Sequence, residues 1–146
     1  MASMSNYLEN AMIDQIFRGQ AYSFPATLYV ALFTAAPDDT GGGTEVTGGS
    51  YARVSVAATL ANWAGTQGAG TTTASTGTGG TTSNNNAITF PAPTANWGQV
   101  THIGIFDATS GGNLLFWAAL TTPKTINNGD TAPAFPAAQL TCQIDN

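Results

Sequence analysis

Apolar positions concentrate in a few short runs, and the most informative pair lies in residues 99–120, QVTHIGIFDATSGGNLLFWAAL. Residues 100–106 and 114–120 are each the length of a strand, and Ser110, Gly111, Gly112 and Asn113 supply what a tight reversal needs. The pattern predicts a β-hairpin. Read with period two, Leu114, Phe116, Ala118 and Leu120 face one side, and Leu115, Trp117 and Ala119 the other. Both sides are apolar, so both must be covered. One cover is the second sheet of a sandwich. The other is a helix, a loop or another protein chain.

Upstream, residues 5–18 change period. Leu8, Met12, Ile13, Ile16 and Phe17 recur at helical spacing, Ser3 or Ser5 can cap the start, and Arg18 with Gly19 fits a stop. So short a helix needs its apolar stripe packed on something, and an apolar sheet face, in its own subunit or a partner's, is the expected site. Residues 27–34, TLYVALFT, are again apolar on both faces and bounded by Pro25 and Pro37. Residues 51–60 alternate, with Ala52, Val54, Val56, Ala58 and Leu60 expected inward and Tyr51, Arg53, Ser55 and Thr59 outward. Residues 87–90, 124–126 and 139–144 read as further short strands.

Residues 64–86 break the pattern. They hold Gly, Thr, Ser and Asn and no large apolar side chain, which predicts either a mobile loop or an arm ordered against a neighbouring subunit. The expected architecture is a single domain over residues 1–146. It is an all-β antiparallel sandwich, jelly-roll or immunoglobulin-like, of about seven strands, with one N-terminal α-helix within residues 1–20.

Composition sharpens the functional side. Charged residues make up 8% of the chain, far below the roughly 25% of ordinary soluble domains. Low charge removes a barrier to association between copies, which favours a chain that works packed in an assembly. The net charge is −5, and Arg18, Arg53 and Lys124 are the three basic residues, too few for a nucleic-acid surface. No apolar run approaches the roughly 20 residues of a membrane span, and no signal peptide is evident, so synthesis in the cytoplasm is expected.

Candidate chemistry is sparse. His102 is the only histidine, it falls within a strand, and no nucleophile motif surrounds Ser110 or Cys142. One His and one Cys cannot build a zinc site, and Asp38, Asp39 and Glu45 lack calcium-loop spacing. The glycine runs at 41–43 and 77–80 lack the lysine of a phosphate loop. No catalytic residue, cofactor or metal is expected. The candidate interface residues are Leu8, Met12, Ile16 and Phe17 on the helix, with Tyr29, Phe33 and Trp117 on the doubly apolar strands.

Several long segments carry a family resemblance. SNYLENAMIDQIF, TLYVALFTAAP, TEVTGGSYARVSV, the block from AITFPAP through NNGD, and Phe135-Pro136-Ala137 together resemble a family of small virion proteins of tailed bacteriophages, often labelled phage tail fibre proteins. Residues 64–80 exceed the family pattern. The resemblance implies a non-enzymatic virion protein, made in the host bacterial cytoplasm. Its expected partners are other virion proteins, either the major capsid protein or tail proteins, with homo-oligomerisation. Together with the low charge it suggests a capsid cement or decoration protein. The alternative is a tail fibre or tail-tip protein in host attachment.

Overall fold

The computed structural model describes residues 2–144; Met1, Asp145 and Asn146 of the expected domain lie outside the described residues. Ten strands and one helix follow one another. They are β1 (Ser3–Met4), α1 (Asn6–Phe17), β2 (Thr27–Ala35), β3 (Thr44–Glu45), β4 (Val54–Ala57), β5 (Thr81–Ser83), β6 (Ile88–Thr89), β7 (Gly98–Phe106), β8 (Leu114–Ile126), β9 (Ala134–Phe135) and β10 (Thr141–Gln143). The all-β antiparallel sandwich with one N-terminal helix is therefore formed.

The expected hairpin is its centre. β7 and β8 pair antiparallel, β2 pairs β7 on the other side, β1 caps the β8 edge, and both β3 and β4 pair β2. β8 runs on through Pro123, where the sequence suggested two separate strands. Its register against β7 shifts between Ala119 and Lys124, which lets a strand carry a proline without losing a central ladder bond. The second layer is two ribbons, β5–β10 and β6–β9, together with loops.

Each face of the main sheet has its own cluster. On one, Val30, Leu32, Val100, Ile103 and Ile105 are buried beneath Phe90, Trp97, Leu140 and Cys142 of the second layer. On the other, Ala31, Phe33, Phe106 and Leu114 are buried, with Tyr29 and Trp117 packed beside them. Phe33 and Phe106 stack with ring centroids 6.1 Å apart. They flank Gly104, whose added Cβ would lie 2.9 Å from both Leu114 Cδ1 and Phe33 Cε2. Gly104→Ala is therefore expected to overpack this face and cost about 1–3 kcal/mol, read as a lower midpoint in denaturant melts.

Three expectations need correction. Residues 64–86 do not reach away from the fold. They return to their own C-terminal segment through the β5–β10 ribbon and a Trp63–Asn84 bridge. Asn84 is 1% exposed, and its Nδ2 donates to the carbonyls of Asn86 and Pro136 at 2.8 and 2.9 Å while its Oδ1 accepts from Leu140 N at 2.9 Å. A polar residue with every hydrogen bond satisfied enters the interior as an apolar one would, so the absence of large apolar side chains did not keep the segment outside. In residues 51–60 the alternation holds only within β4. Leu60 is exposed, whereas the Arg53 side chain is buried and Tyr51 packs against Trp97 and Phe90. Finally, α1 does not lay its apolar stripe on the sheet of its own chain, as set out next.

Candidate assembly interface

The start of α1 is fixed firmly. Ser5, 1% exposed, caps the helix by accepting from Leu8 N at 3.3 Å, and its hydroxyl donates to Leu114 O. Its backbone N donates to Leu115 O at 3.0 Å, and Asn6 N donates to Asp39 O at 2.9 Å. These bonds tie the first turn to β8 and to the loop after β2. Leu8 is the buried residue of the helix, and Met12 is half-buried. Beyond that turn the helix turns its remaining apolar residues outward. Ile13, Ile16 and Phe17 are 51, 60 and 80% exposed. Arg18 closes the helix, its exposed guanidinium 2.8 Å from Asp14, and Gly19 takes φ +65° as the chain reverses.

The returning segment extends the same surface. Tyr22 N donates to Gln15 Oε1 at 2.8 Å, holding residues 19–24 along the helix. Tyr22 meets Tyr7 and Phe24 edge-on, at 6.2 and 4.8 Å between centroids, and Phe24 is 63% exposed. Burial, with Tyr7 and Asp107 nearby, raises the Tyr22 phenol above its ordinary value, so it stays neutral. The result is a largely apolar surface from Tyr7, Ile13, Ile16, Phe17, Tyr22 and Phe24, with the exposed carboxylate of Glu9 one turn before Ile13. A helix that is apolar towards the body and again towards water lacks one of its covers.

Of the seven residues singled out from sequence, Ile16 and Phe17 lie on this surface and Met12 is half-buried beside it. Leu8 and Phe33 are buried within the chain and are not available to a partner. Tyr29 and Trp117 sit half-buried on the outer sheet face, where Trp117 Nε1 donates to Asp39 Oδ1 at 3.2 Å. Tyr7, Tyr22 and Phe24 were missed. For Tyr22 and Phe24 the sequence signal was aromatic content beside Pro25 in a stretch without period, and Tyr7 fell outside the helical apolar stripe.

The catalytic candidates are occupied structurally. His102 lies on the outer sheet face with Nδ1 2.8 Å from Thr101 Oγ1. Cys142 belongs to the cluster on the opposite face, and burial pushes its thiol up to about 12. Asp107 accepts from Asn113 N and Nδ2 at 2.7 and 2.8 Å, which shapes the β7–β8 turn. Among the described residues no three His, Cys, Asp or Glu gather as a metal site. No helix among them is long and apolar enough to cross a membrane.

A second feature is concave. A cavity of about 600 Å³ opens between the sheet and residues 58–82, lined by Leu28, Leu60, Trp63, Ile105, Phe116 and Ile144 among others. No Asp, Glu, Lys, Arg or His lines it. Trp63 Nε1 is buried and has no hydrogen-bond partner among the described residues. An apolar projection and an uncharged, mostly apolar recess can bind other surfaces.

No curated protein matches the chain. The model of a protein family described as podophage GP4 fiber I protein gp80 matches residues 3–143. With the match running from β1 through β10, the chain belongs to the podophage GP4 fiber I protein gp80 family, a phage virion family of the tail-fibre type.

Proposed function

We propose that this chain is a non-enzymatic structural component of a phage tail fibre, residing in the virion and joined to other virion proteins through α1 and residues 19–24. The observation that carries the reading is the outward apolar surface of α1. Burying it would add hydrophobic stabilisation of about 25 cal/mol per Å² of apolar area, and the charges on α1 are confined to Glu9 and the exposed Asp14–Arg18 pair. The family's description as a fibre favours the tail over the capsid-cement role that low charge alone suggested, since low charge serves either place. Nucleic-acid binding has no support: Arg53 is spent on Glu45 and Arg18 pairs with Asp14, leaving Lys124.

Phe17→Asp tests the reading. Phe17 is 80% exposed, so the purified variant is expected to melt within about 2 °C of the parent, as surface substitutions usually cost less than about 0.5 kcal/mol. A tagged copy supplied in trans during infection should nonetheless enter particles at least tenfold less than the parent. Equal incorporation would show that α1 is not the attachment surface.

A further inference from the structure

A compact 146-residue domain has a radius of gyration of about 15 Å. One such unit is not a fibre; length must come from repetition or from a partner. Repetition along a line requires two different, mutually complementary surfaces on each copy, because a heterologous contact propagates whereas a self-complementary one stops at a dimer.

The chain carries two such surfaces, and they share no residue. One is the projecting corner of α1, led by Phe17 and Ile16. The other is the recess beside Leu60 and Trp63. We infer that the α1 corner of one copy seats in the recess of the next, making a head-to-tail contact between copies of this chain. This inference rests on the fibre reading above, with the first copy's α1 corner held by the rest of the virion.

Area and charge both fit a second copy. Aromatic side chains bury about 150–250 Å² each. At exposures of 80, 63 and 40%, Phe17, Phe24 and Tyr7 therefore offer on the order of 350 Å², which Ile13 and Ile16 extend. A standard interface buries roughly 800 Å² per partner, a little over half of it apolar. The corner thus supplies most of the apolar part of one stable contact. The recess, at about 600 Å³, has room for several side chains. No charged side chain lines the recess, so the corner with its exposed Glu9 meets no like charge when it enters the recess of another copy. The recess is also held in shape before binding. Its far wall is laced by Thr66, whose Oγ1 accepts from Gly77 N at 2.9 Å, and by Gln67, whose Nε2 donates to Ala74 O at 2.8 Å.

A mixing experiment with the full-length chain tests this. Phe17→Asp spoils the corner and leaves the recess. Leu60→Asp, at a residue 54% exposed, spoils the recess and leaves the corner. The parent should form concentration-dependent multimers in analytical ultracentrifugation, and each variant alone should be monomeric. Mixed one to one, the two variants should form a heterodimer and stop there, binding at least tenfold tighter than either binds itself, with the Trp63 indole N–H resonance shifting on mixing. Ala58→Glu, a second exposed change at the recess, should behave as Leu60→Asp does. A Leu60→Asp protein that still dimerises would mean that the corner pairs with itself, and overturns the inference. So would variants that remain monomers when mixed, or a parent that is monomeric at every concentration. A monomeric parent that still enters particles through Phe17 would overturn this contact while leaving the proposed function standing.

Discussion

Arg53→Met is expected to lower stability by about 3 kcal/mol, because it strips the Ala108 and Gly111 carbonyls and the partly buried Glu45 carboxylate, 25% exposed, of their charged donor. The side chain is 6% exposed, and its Nε and Nη2 meet Glu45 Oε1 and Oε2 at 2.9 and 2.8 Å. Nη1 donates to the carbonyls of both Ala108 and Gly111 at 2.8 Å, and the guanidinium carbon lies 3.6 Å from the centre of the Phe106 ring. One residue thus joins β3, the strand-like run before β4 and the tip of the β7–β8 hairpin. Glu45 keeps a single neutral donor after the change, the Tyr51 hydroxyl at 2.9 Å, which burial holds protonated well above its ordinary value. The melting temperature should drop by roughly 6–12 °C at about 2–4 °C per kcal/mol. Adding Glu45→Gln to the variant should recover part of that loss, since it removes the stranded charge; a double variant no better than Arg53→Met alone would contradict the account.

Asn84→Ala should cost a comparable amount, about 3 kcal/mol, at about 1–3 kcal/mol for each buried group left without a partner and with strong non-additivity. The side chain is the knot between residues 64–86 and the C-terminal ribbon, and Ala138 N, in a residue at φ +66°, donates to the Asn84 carbonyl at 2.7 Å. The loss should be local first. Hydrogen exchange is expected to quicken in residues 64–86 and 135–143 while β2, β7 and β8 stay protected. Asn84→Asp is more diagnostic. It turns a donor that faces three carbonyls into an acceptor, and burial would raise the new carboxyl's pKa above its unfolded value. Its neutral form is then the one the fold tolerates, so this variant should regain stability as pH falls from 7 towards 4 and lose it as pH rises. Stability independent of pH over that range would mean that the site is open to water.

The large features were legible because they rest on periodicity. The hairpin, β2 and the extent of α1 follow from runs of apolar residues and from the Ser5 and Gly19 boundaries. The failures share a different cause. Arg53 reads as an outward residue by alternation, but β4 begins only at Val54, so the alternation did not extend to it. Asn84 and the 64–86 segment read as loop because they hold no large apolar side chain, whereas this interior is sealed by amide-to-carbonyl hydrogen bonds between residues about 50 positions apart. The outward turn of α1 was hidden for a third reason. Helical spacing gave Leu8, Met12, Ile13, Ile16 and Phe17 as one stripe, yet only the first turn is bound to β8, and Ile13, Ile16 and Phe17 emerge exposed. Trp63 and Trp97, each preceded by Ala-Asn, take different roles. Trp97 Nε1 donates to Gly49 O at 2.9 Å, while that of Trp63 has no partner among the described residues.

The central claim is that α1 is the surface through which this protein is built into a fibre. A cryo-electron-microscopy map of the purified phage tests it most directly. The account predicts density for this domain on the tail, with Ile16 and Phe17 buried against protein. Density on the head lattice, or an α1 whose Phe17 faces solvent in every copy, would contradict it.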